Sequence, residues 1–162
     1  MSKKIFLDYQ STTPVSDKVL KKMLPYFSEK FANPHSNNHS LGRETNEVVE
    51  KNREQVAKLI NVETNEIIFT SGATESNNLA IKGIAQNYFT DKFQVITCKT
   101  EHKCVLESCY SLEKQNIEVH YLEVNDAGII NLKDLEKLLK AKPSLVSIMH
   151  ANNEIGVLQP LK

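Results

Sequence analysis

The sequence predicts an α/β fold built on a mostly parallel sheet with flanking helices. Two observations carry that expectation. Apolar runs rich in β-branched residues alternate with segments of helical period, and such strand–helix–strand repetition is the mark of a parallel sheet with right-handed crossovers. In addition, the run at 145–149 reads as a further extended, largely apolar segment, in a sheet type that normally buries both faces.

Residues 5–8 read as a short strand, followed by the turn signals Thr12, Thr13 and Pro14. Ser16 or Asp17 is placed to cap a helix with Val19, Leu20, Met23 and Leu24 on one face, which Pro25 kinks or shortens. Residues 31–39 form a loop dense in Asn, Pro, His and Ser. A long amphipathic helix follows, with Val48, Val49, Val56, Leu59 and Ile60 expected inward. Strands are expected at 66–69, 93–98, 117–124 and 145–149, and helices at 74–89, 103–115 and 132–140. The segment 1–15 is read as an N-terminal extension, and 16–162 as one domain whose sheet looks unfinished at its C-terminal end.

The composition is that of an ordinary globular domain: 162 residues, 40% hydrophobic and 25% charged. Twenty basic residues balance twenty acidic ones, which leaves no electrostatic footprint for nucleic acid. No apolar run approaches the roughly 20 residues of a membrane span, and the apolar stretch near Met1 is too short for a signal peptide. Three cysteines without regular spacing argue against a disulfide framework. The expected location is therefore the cytoplasm.

Ligands in open α/β sheets bind where strand ends meet helix starts, and three loops fall at such points. In Thr70-Ser71-Gly72-Ala73-Thr74, a tight turn at Gly72 and small neighbours would let an anion approach backbone amides, with the Thr74 hydroxyl as an extra donor. It is neither a Walker loop nor a dinucleotide fingerprint, and by itself it reads first as a plain capped turn. His102, in Thr100-Glu101-His102, is placed to stack on a flat heteroaromatic ligand or to be a surface histidine. In Ala151-Asn152-Asn153-Glu154 an asparagine is placed to donate to a phenolate, or to form an Asx-type turn. All three loops fall on one edge of the expected sheet, a set that suits a small phosphorylated aromatic cofactor.

The chain resembles the class V aminotransferase branch of fold-type I pyridoxal-phosphate enzymes, and within it the cysteine desulfurases. The resemblance rests on Leu7-Asp8-Tyr9 with Thr12-Thr13-Pro14, on residues 31–34, 69–83 and 100–103, and on 146–156. Gln10 departs from the small residue common in relatives. The resemblance implies that this is part of the large domain of such an enzyme, with pyridoxal 5'-phosphate as cofactor. It implies that Ala73 and Thr74 bind the cofactor phosphate, that Asn153 donates to the ring phenolate oxygen, and that His102 stacks on the ring and moves protons. The implied activity is transfer of sulfur from L-cysteine, leaving L-alanine, to an enzyme persulfide that serves iron–sulfur cluster assembly or thiolation. A homodimer and a sulfur-acceptor or iron–sulfur scaffold protein are the implied partners.

The family's Schiff-base lysine, its pyridinium-pairing aspartate, its persulfide cysteine and its carboxylate-binding arginine belong to motifs that these 162 residues do not contain. The expectation is a chain inactive by itself. The competing readings are a non-catalytic remnant or split half acting as an assembly module, and part of a sister class V enzyme such as a selenocysteine lyase or transaminase. Lys103 follows a histidine but belongs to the Thr-Glu-His-Lys block, so it is not taken as the cofactor lysine. Cys104 is read as packing rather than as a nucleophile. A zinc site from Cys98, His102, Cys104 and Cys109 is set aside for want of Cys-x-x-Cys spacing, and no metal is expected.

Overall fold

The computed structural model describes residues 4–88 and 93–160. The chain divides into two compact units, Met1–Phe69 and Thr70–Lys162.

In the first unit, helix α1 (Asp17–Met23) leads into the short α2 (Pro25–Ser28), with Pro25 at the first position of the second helix. Proline lacks an N–H that a helix start would leave unpaired, so it restarts the helix rather than kinking a longer one. Helix α3 (Ser40–Ile60) is capped by His39, whose Nδ1 accepts from the Gly42 amide at 3.0 Å. A Cβ at Gly42 would stand 1.9 Å from the Ser36 carbonyl oxygen, so glycine is what lets the loop return against the helix. The helix stops at Asn61 in the left-handed region, φ 58°.

Several expectations fail in this unit. Residues 5–8 and 66–69 form no strand. After a 3-10 turn at Thr64–Glu66, the Ile67 carbonyl accepts from Arg53 Nη1 at 2.7 Å, and the same guanidinium lies 4.7 Å over the Phe69 ring. A side chain on α3 thus takes the place of a ladder neighbour. The apolar stripe of α3 is buried only in part: Val48 and Val49 are half-buried, whereas Val56, Leu59 and Ile60 are exposed, Leu59 at 84%.

In the second unit, helix α4 (Ala73–Asn87) precedes β1 (Gln94–Cys98), α5 (Lys103–Glu113), β2 (Glu118–Leu122), α6 (Leu132–Leu139) and β3 (Leu145–Val146). The predicted helix at 74–89 begins one residue early, and its predicted end at Phe89 lies outside the described residues. Among the described residues the sheet has three strands, all parallel, in the order β2-β1-β3. This is fewer than the five runs the sequence suggests, because 5–8 and 66–69 form no strand, and 145–149 contributes a strand of only two residues.

Placing β1 in the middle explains its burial. Val95, Ile96 and Thr97 are fully buried. Val95 points to a core formed with Ile81 and Ala85 of α4 and Val105, Cys109 and Leu112 of α5. Ile96 and Cys98 point to the other face, against Leu122, Ile130, Leu135 and Leu138. The connection β1–α5–β2 moves one way across the sheet, and β2–α6–β3 moves back past β1. Crossovers of one hand running in opposite directions put their helices on opposite faces, and α5 and α6 are so arranged. The reversal leaves the C-terminal ends of β1 and β3 side by side.

Candidate functional site

Beyond those strand ends lies a cavity of about 400 Å³, lined among others by Ala73, Asn77, Glu101, His102, Met149 and Asn153. That is within the size range of small-ligand sites. Three of the four residues singled out from the sequence, Ala73, His102 and Asn153, therefore share one cavity. Thr74 is exposed in the first turn of α4, beside Ala73, and is not part of the lining.

The first of the three walls is the start of α4. Gly72 occupies its N-cap position, and no side chain caps the helix there. The early amides of a 15-residue helix are thus left to solvent or to a ligand, with the positive end of the helix dipole behind them. The expectation for Gly72 itself needs correcting. Its backbone is extended, φ 161° and ψ −177°, and a Cβ would meet nothing within 4 Å. The turn does not need glycine; what glycine leaves is open space in front of the amides. The loop is shaped instead by hydroxyls: Thr70 Oγ1 lies 2.6 Å from Ser76 Oγ, and Ser71 donates through its amide and its hydroxyl to Glu75, each at 2.6 Å. These two bonds hold the Glu75 carboxyl below its ordinary range.

The second wall is the loop after β1. His102 is the N-cap of α5, and its Nδ1 accepts from the Cys104 amide at 3.2 Å. The Cys104 thiol lies 3.0 Å from the same nitrogen, and Asn77 Nδ2 on α4 donates to the sulfur at 3.0 Å. Cys104 is 8% exposed, lines the cavity and belongs to the core beside it. The sulfur therefore packs and also makes two polar contacts.

Glu101 was not singled out from the sequence. It is a buried carboxyl whose Oε1 accepts from the Met149 amide. Burial raises its pKa above the ordinary carboxyl value; the Met149 amide and the nearby His102 pull the other way. A carboxyl beside a histidine in a loop reads as solvated, so nothing in the sequence marks it.

The third wall is the turn after β3. Asn152 organises it: its Oδ1 accepts from the Glu154 and Ile155 amides at 2.9 and 3.0 Å, and its Nδ2 donates to the Thr100 carbonyl at 2.9 Å. This Asx-type turn ties the 150s loop to the loop that carries His102. Asn153, the next residue, is exposed and lines the cavity.

The donor set suits a phosphorylated aromatic ligand. It comprises uncapped amides at a helix start, an imidazole and an amide side chain around an open cavity. Among the described residues, no lysine or arginine lines the cavity, and the amides at the start of α4 are the donors placed for an anion.

The pattern of the family described as Aminotransferase class-V matches residues 5–162. The chain belongs to that family. It is 55% identical over 158 residues to the cysteine desulfurase IscS of Rickettsia massiliae, and 54% identical to that of Rickettsia felis. In each case the alignment takes in 98% of this chain and 38% of the relative. The chain thus spans a little over a third of the length of these relatives. Among solved structures, a NifS-like protein superposes with a TM-score of 0.87 at 44% identity, covering 93% of this chain and 41% of that one. A structure described as SspA in complex with cysteine gives 0.84 at 39% identity, covering 94% and 44%. The fold is therefore that of part of a NifS-like, fold-type I large domain.

Proposed function

We propose that this chain supplies the cofactor pocket of a pyridoxal-phosphate-dependent cysteine desulfurase. The observation that carries the reading is the common cavity lined by Ala73, His102 and Asn153, on a chain 55% identical to cysteine desulfurases. When bound, pyridoxal 5'-phosphate supplies an electron sink that labilises bonds at the substrate α-carbon.

The residues of this chain bind and orient. The first amides of α4, at Ala73 and Thr74, take the phosphate, and the Thr74 hydroxyl adds a donor. Asn153 donates through its amide to the ring oxygen. His102 stacks its imidazole on the ring, and Nε2, the nitrogen not engaged by Cys104, exchanges a proton with the substrate amine or thiol. Glu101 and Asn152 hold the two loops at a fixed separation.

The substrate proposed for the whole protein is L-cysteine, with sulfur passed on for iron–sulfur cluster assembly or thiolation. A homodimer is the proposed assembly, and a scaffold or sulfur acceptor the proposed partner. The 162 residues contain no Ser-x-His-Lys sequence, so covalent attachment of the cofactor and turnover are assigned to motifs outside them.

Titration of the chain with pyridoxal 5'-phosphate, followed by cofactor absorbance and fluorescence, tests the reading. Saturable binding is expected, weakened at least several-fold in His102→Ala and in Asn153→Ala. Binding unaffected by either substitution refutes the assignment of the cavity.

A further inference from the structure

We propose that Cys104 and Asn77 are positioning residues that hold the His102 ring in one rotation as the Nε2–H tautomer, so that the resting imidazole meets the cavity as a hydrogen-bond donor. Two contacts converge on Nδ1. The Cys104 amide, 3.2 Å away, can only donate, so Nδ1 of the neutral ring carries a lone pair and the proton belongs to Nε2. The Cys104 sulfur is the second group, at 3.0 Å. Asn77 Nδ2, also at 3.0 Å from that sulfur, gives it a hydrogen bond to accept. Because Nδ1 offers only a lone pair, the thiol meets it through its S–H, and the Cys104 amide and thiol share that one acceptor.

The result is a relay from Asn77 on α4 through Cys104 to His102 at the cap of α5. Cys104 is 8% exposed within the packed core, which fixes the sulfur, and through it the rotation of the ring. An N-cap alone sets which nitrogen accepts. The thiol adds a second anchor beside the first, so that the ring has one seat rather than two.

The consequence is directional. A neutral ring with its proton on Nε2 donates at that atom and cannot take a proton there until it has given one up. The resting ring therefore offers Nε2 as a hydrogen-bond donor, since neutral imidazole is too weak an acid to give up that proton near neutral pH; proton exchange at Nε2 needs the imidazolium form. The inference concerns the side chains of this chain and does not depend on what occupies the cavity, so it can fail while the cofactor reading stands.

The test is 15N NMR of the full chain labelled at histidine, in solution or as a sedimented solid, with His102 assigned by its loss in His102→Gln. In the wild type, one ring environment with Nε2 protonated and Nδ1 unprotonated is expected. Cys104→Ser should keep it, because a hydroxyl also donates. Cys104→Ala should lose the single environment, giving broadened or doubled ring resonances. Asn77→Leu leaves the sulfur in place and opens no cavity beneath it. It should act in the same direction and decides the matter if Cys104→Ala fails to fold. A wild-type ring protonated at Nδ1 overturns the proposal. So does an unchanged His102 signal in Asn77→Leu together with an unchanged or unobtainable one in Cys104→Ala.

Discussion

Glu101 accepts the Met149 amide where the β1–β3 ladder would otherwise have continued through a backbone carbonyl. Ser147 donates to the Ile96 carbonyl at 2.9 Å, and two residues on Met149 would address Cys98. The Cys98 carbonyl is taken instead by the Glu101 amide at 3.2 Å, and the Glu101 side chain answers for it. The strand ends part without leaving an orphaned amide, and the gap between them becomes the cavity.

Glu101→Ala should therefore leave a part-buried amide unpaired, at a cost of about 1–3 kcal/mol. Glu101→Gln keeps an acceptor at the same place and should cost less. Urea unfolding of the two variants checks the order; equal loss in both would mean that the Met149 bond is not what Glu101 contributes.

The same carboxyl gives a pH dependence of known sign. Burial raises its folded pKa above the unfolded value, so the native state holds the proton more tightly. The stability linked to Glu101 is full below the unfolded pKa and falls as pH rises through the raised folded pKa. Comparing wild type with Glu101→Gln from pH 4 upward, the difference in unfolding free energy should shift steadily in favour of the variant. A difference independent of pH contradicts this.

The alkaline side should behave in the same direction through the core. Burial first, and the charges of Glu101 and Glu113 next, push the Cys109 thiol up to about 11. Tyr121 is raised as well, by burial and by its bond to Glu113. Both groups keep their protons in the folded state, so stability should fall between the ordinary thiol range and about pH 11. Tyr121→Phe should flatten that fall.

All three thiols, Cys98, Cys104 and Cys109, are buried, at 2%, 8% and 0% exposure. Alkylation by iodoacetamide in native buffer should be slow at each and rapid in denaturant, as followed by mass spectrometry. Fast native labelling of Cys104 would show that its sulfur is reached through the cavity, and would contradict its role as a packed anchor.

Asn152 makes one donated and two accepted side-chain bonds. Asn152→Asp retains the turn and loses the tie to Thr100, whereas Asn152→Ala loses both. The expected destabilisation is roughly 1 kcal/mol for the tie and more for the pair. Thermal unfolding should rank wild type above Asp and Asp above Ala.

Much of the sheet unit was legible in the sequence, because its middle strand and covering helices obey strong periodicities. The runs at 93–98 and 117–124 differ from β1 and β2 by at most two residues at either end. The run at 145–149 did not give five paired residues, since apolarity reports burial and not pairing: Ile148 packs into a core while Met149 bonds to a side chain. Residues 66–69 failed for a related reason, with Arg53 replacing a strand neighbour. The cavity loops were visible as strand-to-helix junctions, but their scaffolding was not. Glu101 and Asn152 are short-range polar residues whose partners lie 48 and 52 positions away, and no local pattern encodes such a distance. The two asparagines also divide the roles that one loop position had been offered, Asn152 making the turn and Asn153 lining the cavity.

The most direct test of the pocket assignment is chemical-shift mapping of the isotope-labelled chain during titration with pyridoxal 5'-phosphate. Saturable shifts concentrated at the amides of Ala73 and Thr74, the ring of His102 and the side chain of Asn153 are predicted, with inorganic phosphate reproducing only those at Ala73 and Thr74. Shifts that map elsewhere, or none at saturating cofactor on a folded chain, would contradict it.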